Sequence, residues 1–241
     1  MKTYAHRGFS GLYPENTMIA FKKAVEECKC DGIELDVHLS KDDELVIIHD
    51  EKVDRTTSGK GYVKDKTLEE LKELNANYMF NNLAEIQRVP TFDEYCEYIQ
   101  DKNIITNIEI KTNLIYYKDI EEKVINKLKR YNLSDRVILS SFNHGSAVIS
   151  KKIKKDIKCG LLVESPGIIN SGYFTKMLGM ECYHPDINCL SEEIVNECKK
   201  YEIEVNTWTV NTMKNLINCI NWGVDGLITN YPNVVKSCIN G

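Results

Sequence analysis

The apolar residues of this chain fall into nine short runs: TYAH (3–6), IELDV (33–37), LVIIH (45–49), NIEIK (107–111), VILSSF (137–142), CGLLV (159–163), CYHP (182–185), VNTWTV (205–210) and DGLIT (225–229). Longer amphipathic segments separate most of them. ENTMIAFKKAVEEC (15–28) sets Ile19, Ala20, Val25 and Cys28 near one stripe, and TFDEYCEYIQ (91–100), KDIEEKVINKLKRY (118–131), SEEIVNECKKY (191–201) and TMKNLINCINW (212–222) also read as helices. Thr91, Ser191 and Thr212 are suited to cap them, although Ser191 has Ile194, not Glu or Gln, at the position that would complete a capping box. Buried, β-branched strands alternating with amphipathic helices predict a parallel α/β fold.

One run breaks the alternation. LVIIH follows IELDV too closely for a parallel crossover, so the two are expected to form a hairpin. With Asp42-Asp43 as a two-residue turn, the register opposes Asp36 to His49 and His38 to Ile47. Setting the returning strand aside leaves eight βα units in 241 residues, close to the roughly 250 of a (β/α)8 TIM barrel. The predicted fold is therefore one TIM-barrel domain over residues 1–241, with a β-hairpin at its C-terminal rim. Residues 51–90 lose the rhythm: DRTTSGKGYVKDKT is polar and turn-rich, LEELKEL is a short helix, and NANYMFNNLAEIQRVP has no period. That segment reads as an insertion over the barrel mouth, too short and polar for a core of its own.

Composition narrows the functional classes. A net charge of −5 gives no general attraction to nucleic acid or anionic membranes. No apolar run approaches the ~18 residues of a membrane span. MKTYAHRG reads as the first strand, so no secretory leader is expected. Nine cysteines without a CxxC pair suit free thiols in a reducing cytoplasm better than a disulfide framework or a zinc site.

In this architecture chemistry belongs at the C-terminal strand ends, and the ionisable residues fall there. The first strand ends in His6-Arg7-Gly8, the second carries Glu34 and Asp36, its return brings His49, and the third barrel strand carries Glu109 and Lys111. Residues two apart share one strand face, so Glu34 and Asp36 both point inward, with Glu109 beside them. Three such carboxylates repel unless a cation lies between them, and all-oxygen ligation suits magnesium or calcium. His6 and His49 are placed to flank the ion as a general acid–base pair. Arg7 and Lys111 supply positive charge for phosphate oxygens, with a structural clamp on the carboxylates as the alternative for each. Trp208, at the end of the seventh barrel strand, is a core residue or a pocket wall, and Phe142 and His184 are weaker cases of the same kind. Asn16 is read as a cap or as a support for His6 or Arg7. Arg55-Thr56-Thr57 is read as ordering the insertion. His38, expected on the hairpin above the rim, and His144, expected in a loop, receive no role. A cation, two histidines and two basic groups point to phosphoryl transfer or phosphodiester hydrolysis.

These motifs resemble those of the glycerophosphodiester phosphodiesterases. AHRGFSGLYPENTMIAF is similar to that family's HRG…PENT opening, and GIELDVHLSKDDELVIIHDEKVDRTTSGKG to its E-x-D…HD…RTT-G signature. NIEIK, NTWTVN and GLITNYP resemble its later strands. The resemblance implies a (β/α)8 enzyme that cleaves glycerophosphodiesters to glycerol 3-phosphate and an alcohol with a divalent cation. It implies Glu34, Asp36 and Glu109 as metal ligands, His6 and His49 as acid and base in an order left open, and Arg7 and Lys111 on the phosphate. Two other readings remain: a lysophospholipase D-like enzyme with an apolar mouth, for which the insertion offers Tyr62, Tyr78, Met79, Phe80 and Leu83, and a non-catalytic barrel that binds phosphate esters.

Overall fold

The computed structural model describes residues 1–77, 80, 83, 85–165 and 167–240, so Tyr78 and Met79 of the insertion lie outside the described residues. The first half of the chain forms β1 (Lys2–His6), α1 (Met18–Glu26), β2 (Gly32–Leu39), β3 (Leu45–Ile47), α2 (Leu68–Glu73), α3 (Phe92–Ile99), β4 (Ile105–Ile110) and α4 (Ile120–Arg130). The second half forms β5 (Val137–Ser141), α5 (His144–Ile153), β6 (Lys158–Val163), α6 (Ser171–Met177), β7 (Cys182–Pro185), α7 (Glu192–Lys200), β8 (Glu204–Thr207), α8 (Met213–Trp222), β9 (Gly226–Thr229) and α9 (Pro232–Asn240). Eight parallel strands close into a barrel in the order β1-β9-β8-β7-β6-β5-β4-β2, with β1 pairing back onto β2. The ninth, β3, is antiparallel on β2 and lies outside the barrel.

The helices start where side chains can satisfy orphan backbone N–H groups. Thr67 and Thr91 form full capping boxes with Glu70 and Glu94, while Ser191 and Thr212 cap through their hydroxyls alone. On α1 the buried face is Ala20, Phe21 and Ala24, one position round from the expected stripe, and Ile19 and Val25 are half-buried. Strand residues Ile33, Leu35, Val37, Ile108 and Leu161 pack outward onto Phe21, Phe92, Tyr95 and Val124, which removes both faces of the parallel strands from water. The barrel interior is plugged by Tyr4, Ile138, Cys182 and Ile228. Beside this plug sit buried polar groups in mutual contact: Ser140 Oγ donates to Asn107 Oδ1 at 3.0 Å, and Asn206 Nδ2 to His184 Nε2 at 3.1 Å.

Several expectations change. The β2–β3 register opposes Val37 to Ile47 and His38 to Val46, and Ile48 N–H donates to the Asp36 carbonyl, so Asp36 does not face His49. The turn holds three residues, 41–43, not two. Asp43 N–H donates to Ser40 O at 3.1 Å, Ser40 N–H to Glu44 O at 3.0 Å, and Asp43 takes the left-handed conformation that a three-residue hairpin loop needs. His38 is fully buried instead of standing above the rim, and His144 opens α5 instead of lying in a loop. The insertion does own a small core: Val53, Val63, Leu71, Ala76 and Val89 close on Val46 and Ile48 of the hairpin.

Candidate active site

Each group expected at the rim arrives by a definite local route. His6 is the last residue of β1, and the chain then turns through Arg7 and Gly8, both at positive φ. Gly8 is required there, because a Cβ would lie 2.7 Å from the backbone of Ala20 on α1. Glu34 and Asp36 share the inner face of β2, and Asp36 pairs across to Glu109 on β4. Lys111 follows β4 directly, and Trp208 follows β8. His6, Arg7, Glu34, His49, Glu109, Lys111 and Trp208 all line one cavity of about 620 Å³. Asp36 is fully buried and is not part of that wall.

The three carboxylates meet as the strand periodicity requires. Glu34, Asp36 and Glu109 are buried, each with an oxygen within 4.8 Å of the others. Burial and the negative charge of Asp36 push the Glu34 carboxyl well above its usual range, even though Arg7 N–H donates to its Oε2 at 3.0 Å. Asp36 goes the other way. Burial opposes its ionisation, but His49, Arg7, Lys111 and the Asn16 amide hold its carboxyl well below the usual range. Burial also raises Glu109, although Lys111 Nζ lies 2.7 Å from its Oε1. Asp36 Oδ1 is buried without a hydrogen-bond partner. A buried, unpartnered carboxylate oxygen among three acidic groups is a donor set that fits a hard divalent cation.

The two histidines present the same nitrogen to the cavity. His6 Nδ1–H donates to Asn230 Oδ1 at 2.6 Å, which leaves Nε2 free, 3.9 Å from Glu34. Burial and the neighbouring Arg7 lower its pKa to about 4, so the ring is neutral at pH 7. His49 Nδ1–H donates to Asp50 Oδ1 at 2.6 Å, and its Nε2 lies 3.3 Å from Lys111 Nζ. The His49 backbone carbonyl accepts from His38 Nε2 at 3.1 Å, while His38 Nδ1 contacts the Tyr117 hydroxyl. His38 is thus a buried strut beneath His49.

The remaining candidates divide. Arg7 donates to Glu15 at 2.8 Å and sits 3.4 Å from Asp36, so it clamps carboxylates while still lining the cavity. Lys111 does the same with Glu109. Trp208 and Phe142 meet edge to face at 5.6 Å and form an aromatic wall, with the indole N–H donating to the His184 carbonyl. His184 is core: it is fully buried, and burial lowers its pKa to about 3. Asn16 donates through its side chain to Asp36 Oδ2 at 2.8 Å and through its backbone N–H to the Arg7 carbonyl at 2.9 Å, so it supports a carboxylate and the Arg7 turn, and Thr17 is the residue that caps α1. Sequence reasoning passed over Asn230, Asp50 and Glu15. Asn230 stands at the end of β9, where the strand-end rule could have found it, while Asp50 and Glu15 lie inside the family-like motifs without a role.

A TIM barrel whose mouth joins a carboxylate trio, two histidines and two cations belongs to the phosphodiester-cleaving barrels. Comparisons with known proteins resolve the family. The glycerophosphoryl diester phosphodiesterase family profile matches residues 6–234. A glycerophosphodiester phosphodiesterase of Caldanaerobacter subterraneus subsp. tengcongensis is 46% identical over 99% of this chain and 98% of its own length. Among solved structures, an Oleispira antarctica phosphodiesterase in complex with the product sn-glycerol-3-phosphate superposes with a TM-score of 0.86 at 27% identity, covering 100% of this chain and 97% of that one. The Thermotoga maritima glycerophosphodiester phosphodiesterase gives 0.81 at 28% identity, with 99% and 98% covered. The chain belongs to the glycerophosphoryl diester phosphodiesterase family and is a phosphoric diester hydrolase.

Proposed function

We propose that this enzyme cleaves glycerophosphodiesters to glycerol 3-phosphate and an alcohol, with His6 and His49 exchanging the protons. The observation that carries the reading is the pair of Nε2 atoms turned to one cavity, each ring fixed through its Nδ1–H by Asn230 or Asp50. A ring nitrogen held in this way has a defined tautomer and direction, as a general acid–base group requires. One histidine removes the proton of a glycerol hydroxyl as that oxygen bonds to phosphorus. The other donates a proton to the alcohol oxygen as its bond to phosphorus breaks. A water molecule then opens the cyclic phosphate with the two roles reversed. Arg7 and Lys111 hold the phosphoryl oxygens, and Trp208 forms the wall beside them. Glu34, Asp36 and Glu109 would hold a magnesium or calcium ion, which supplies Lewis-acid stabilisation of the charge on phosphorus.

The small-molecule substrate expected here is a soluble diester such as glycerophosphocholine. No described helix is long and apolar enough to cross a membrane. All nine cysteines are free thiols, which supports a reducing, cytoplasmic setting. One observation favours the lipid reading: Leu114, in the cavity wall, is 75% exposed, as a membrane-facing mouth would have it. The test is a panel of glycerophosphodiesters and lysophosphatidylcholine, run with magnesium, calcium and manganese in turn on the wild type and on His6→Ala and His49→Ala. Soluble diesters should be turned over by the wild type and slowed about 10²- to 10⁴-fold in each variant. Cleavage of the lysolipid alone, or full activity in both variants, overturns the proposal.

A further inference from the structure

Arg55 sits in the insertion, away from the cavity wall that the candidate groups form, yet its guanidinium makes two forks. Nε and one terminal nitrogen donate to Asp50 at 2.7 and 2.9 Å, while the terminal nitrogens donate to the two oxygens of Glu15 at 2.8 Å each. Asp50 is the carboxylate that fixes the His49 ring, and Glu15 is the carboxylate that holds Arg7. The chain of contacts therefore runs His49–Asp50–Arg55–Glu15–Arg7–Asp36, from the rim of the hairpin to the loop after β1. An isolated surface ion pair would contribute little. A double fork that joins two separate segments also fixes geometry, because a planar guanidinium admits only one orientation of each carboxylate.

We propose that Arg55 is a positioning residue that cross-braces the site, setting the orientation of His49 through Asp50 and of Arg7 through Glu15. The insertion thereby gains a role in the chemistry. It delivers a cation that ties the acid–base group on the hairpin to the phosphate-holding group after β1. The inference rests on the proposed roles of His49 and Arg7. It differs from ordinary fold stabilisation in a measurable way, because the two arms end on groups with different jobs.

The experiment compares Asp50→Asn, Glu15→Gln, Arg55→Gln and Arg55→Lys with the wild type on glycerophosphocholine, with kcat normalised to folded enzyme. Cutting the Asp50 arm should lower kcat about tenfold or more with KM nearly unchanged, since ring orientation acts on the proton transfers. Cutting the Glu15 arm should raise KM about tenfold with a smaller effect on kcat. Arg55→Gln should show both effects, and adding it to Asp50→Asn should cost less than about threefold further in kcat, because the brace is already cut. Arg55→Lys keeps the charge but loses the forks and should fall between. Wild-type kinetics in Arg55→Lys and Arg55→Gln overturn the brace, as does full additivity with Asp50→Asn. His49→Ala serves as the reference. If it stays active the acid–base reading itself falls, whereas an inactive His49→Ala beside a fully active Arg55→Gln removes only the brace.

Discussion

Replacing Glu34 by glutamine tests how the site balances its charge. Oxygens of Glu34, Asp36 and Glu109 lie within 4.8 Å of one another, where at an effective dielectric of about 20 two unit charges repel by roughly 3.5 kcal/mol. Arg7, 3.4 Å from Asp36, and Lys111, 2.7 Å from Glu109, are close enough to offset two of the negative charges. The third has no such side-chain partner among the described residues, and burial and Asp36 raise its pKa, so Glu34 is the carboxylate that most readily takes up a proton as pH falls. Where Glu34 is protonated, cation binding must displace that proton. At pH values below the raised Glu34 pKa, binding should release about one proton and weaken about tenfold for each pH unit of acidification. Glutamine resembles the neutral acid in shape, so metal-free Glu34→Gln should keep its stability within about 1 kcal/mol of wild type. Its cation affinity should fall and its proton release should vanish. Calorimetric titration in two buffers of different protonation enthalpy reads the protons, and thermal unfolding of the metal-free proteins reads the stability. Equal proton release in both proteins would refute the argument. So would a loss of about 3–5 kcal/mol in the metal-free variant, the mark of a broken buried ion pair.

Two further outcomes follow from the buried histidines. Burial lowers His38 to about 4 and His184 to about 3 from an ordinary 6.5, so between those values the unfolded chain binds the protons. The stability they contribute is fully present above pH 6.5 and is lost as pH falls through the folded values. Urea unfolding at pH 7.5 and pH 4.5 should show this loss, and His184→Gln should flatten it; an unchanged pH dependence in the variant would count against the assignment. Gly160→Ala would place a Cβ 2.8 Å from His184 Nε2 inside the packed barrel, so it should lower stability by about 1–3 kcal/mol in thermal unfolding.

The eight barrel strands were legible because each is a short apolar run buried on both faces. Helices with an apolar stripe, such as α7 with Val195 and Cys198 and α8 with Leu216 and Cys219, were legible for the related reason. By contrast, α5 buries Ser146, Ala147 and Ser150, and α6 buries Ser171, Gly172 and Thr175. Small polar residues let a helix approach its neighbours closely but leave no hydrophobic period to read. In the site, ionised groups at strand ends stood out because burying charge is costly. Asn230 carries no charge, and a neutral amide at a strand end looks like any loop residue until the His6 ring is seen against it. The brace was hidden for another reason: Glu15 and Arg55 are 40 residues apart, and only the folded insertion brings them together.

The error in the hairpin register is informative because it left the chemistry nearly untouched. A one-residue slip normally exchanges the two faces of a strand, and it does so here: Leu45 and Ile47 face the main core with Val37 and Leu39, while Val46 and Ile48 face the insertion's core. Continued as a strand, β3 would send His49 toward the helix layer. It does not continue. Pairing extends only as far as the bond from Ile48 N–H to the Asp36 carbonyl, and the chain then leaves the sheet. His38, on the inner face of β2, meets the His49 carbonyl at 3.1 Å as it departs, and Asp50 turns the ring toward Lys111. His49 therefore reaches the mouth because the strand ends. Its position depends on His38, Asp50 and Arg55 and not on a cross-strand partner, so the mobility of His49 should respond to those three side chains more than to any substitution along β3.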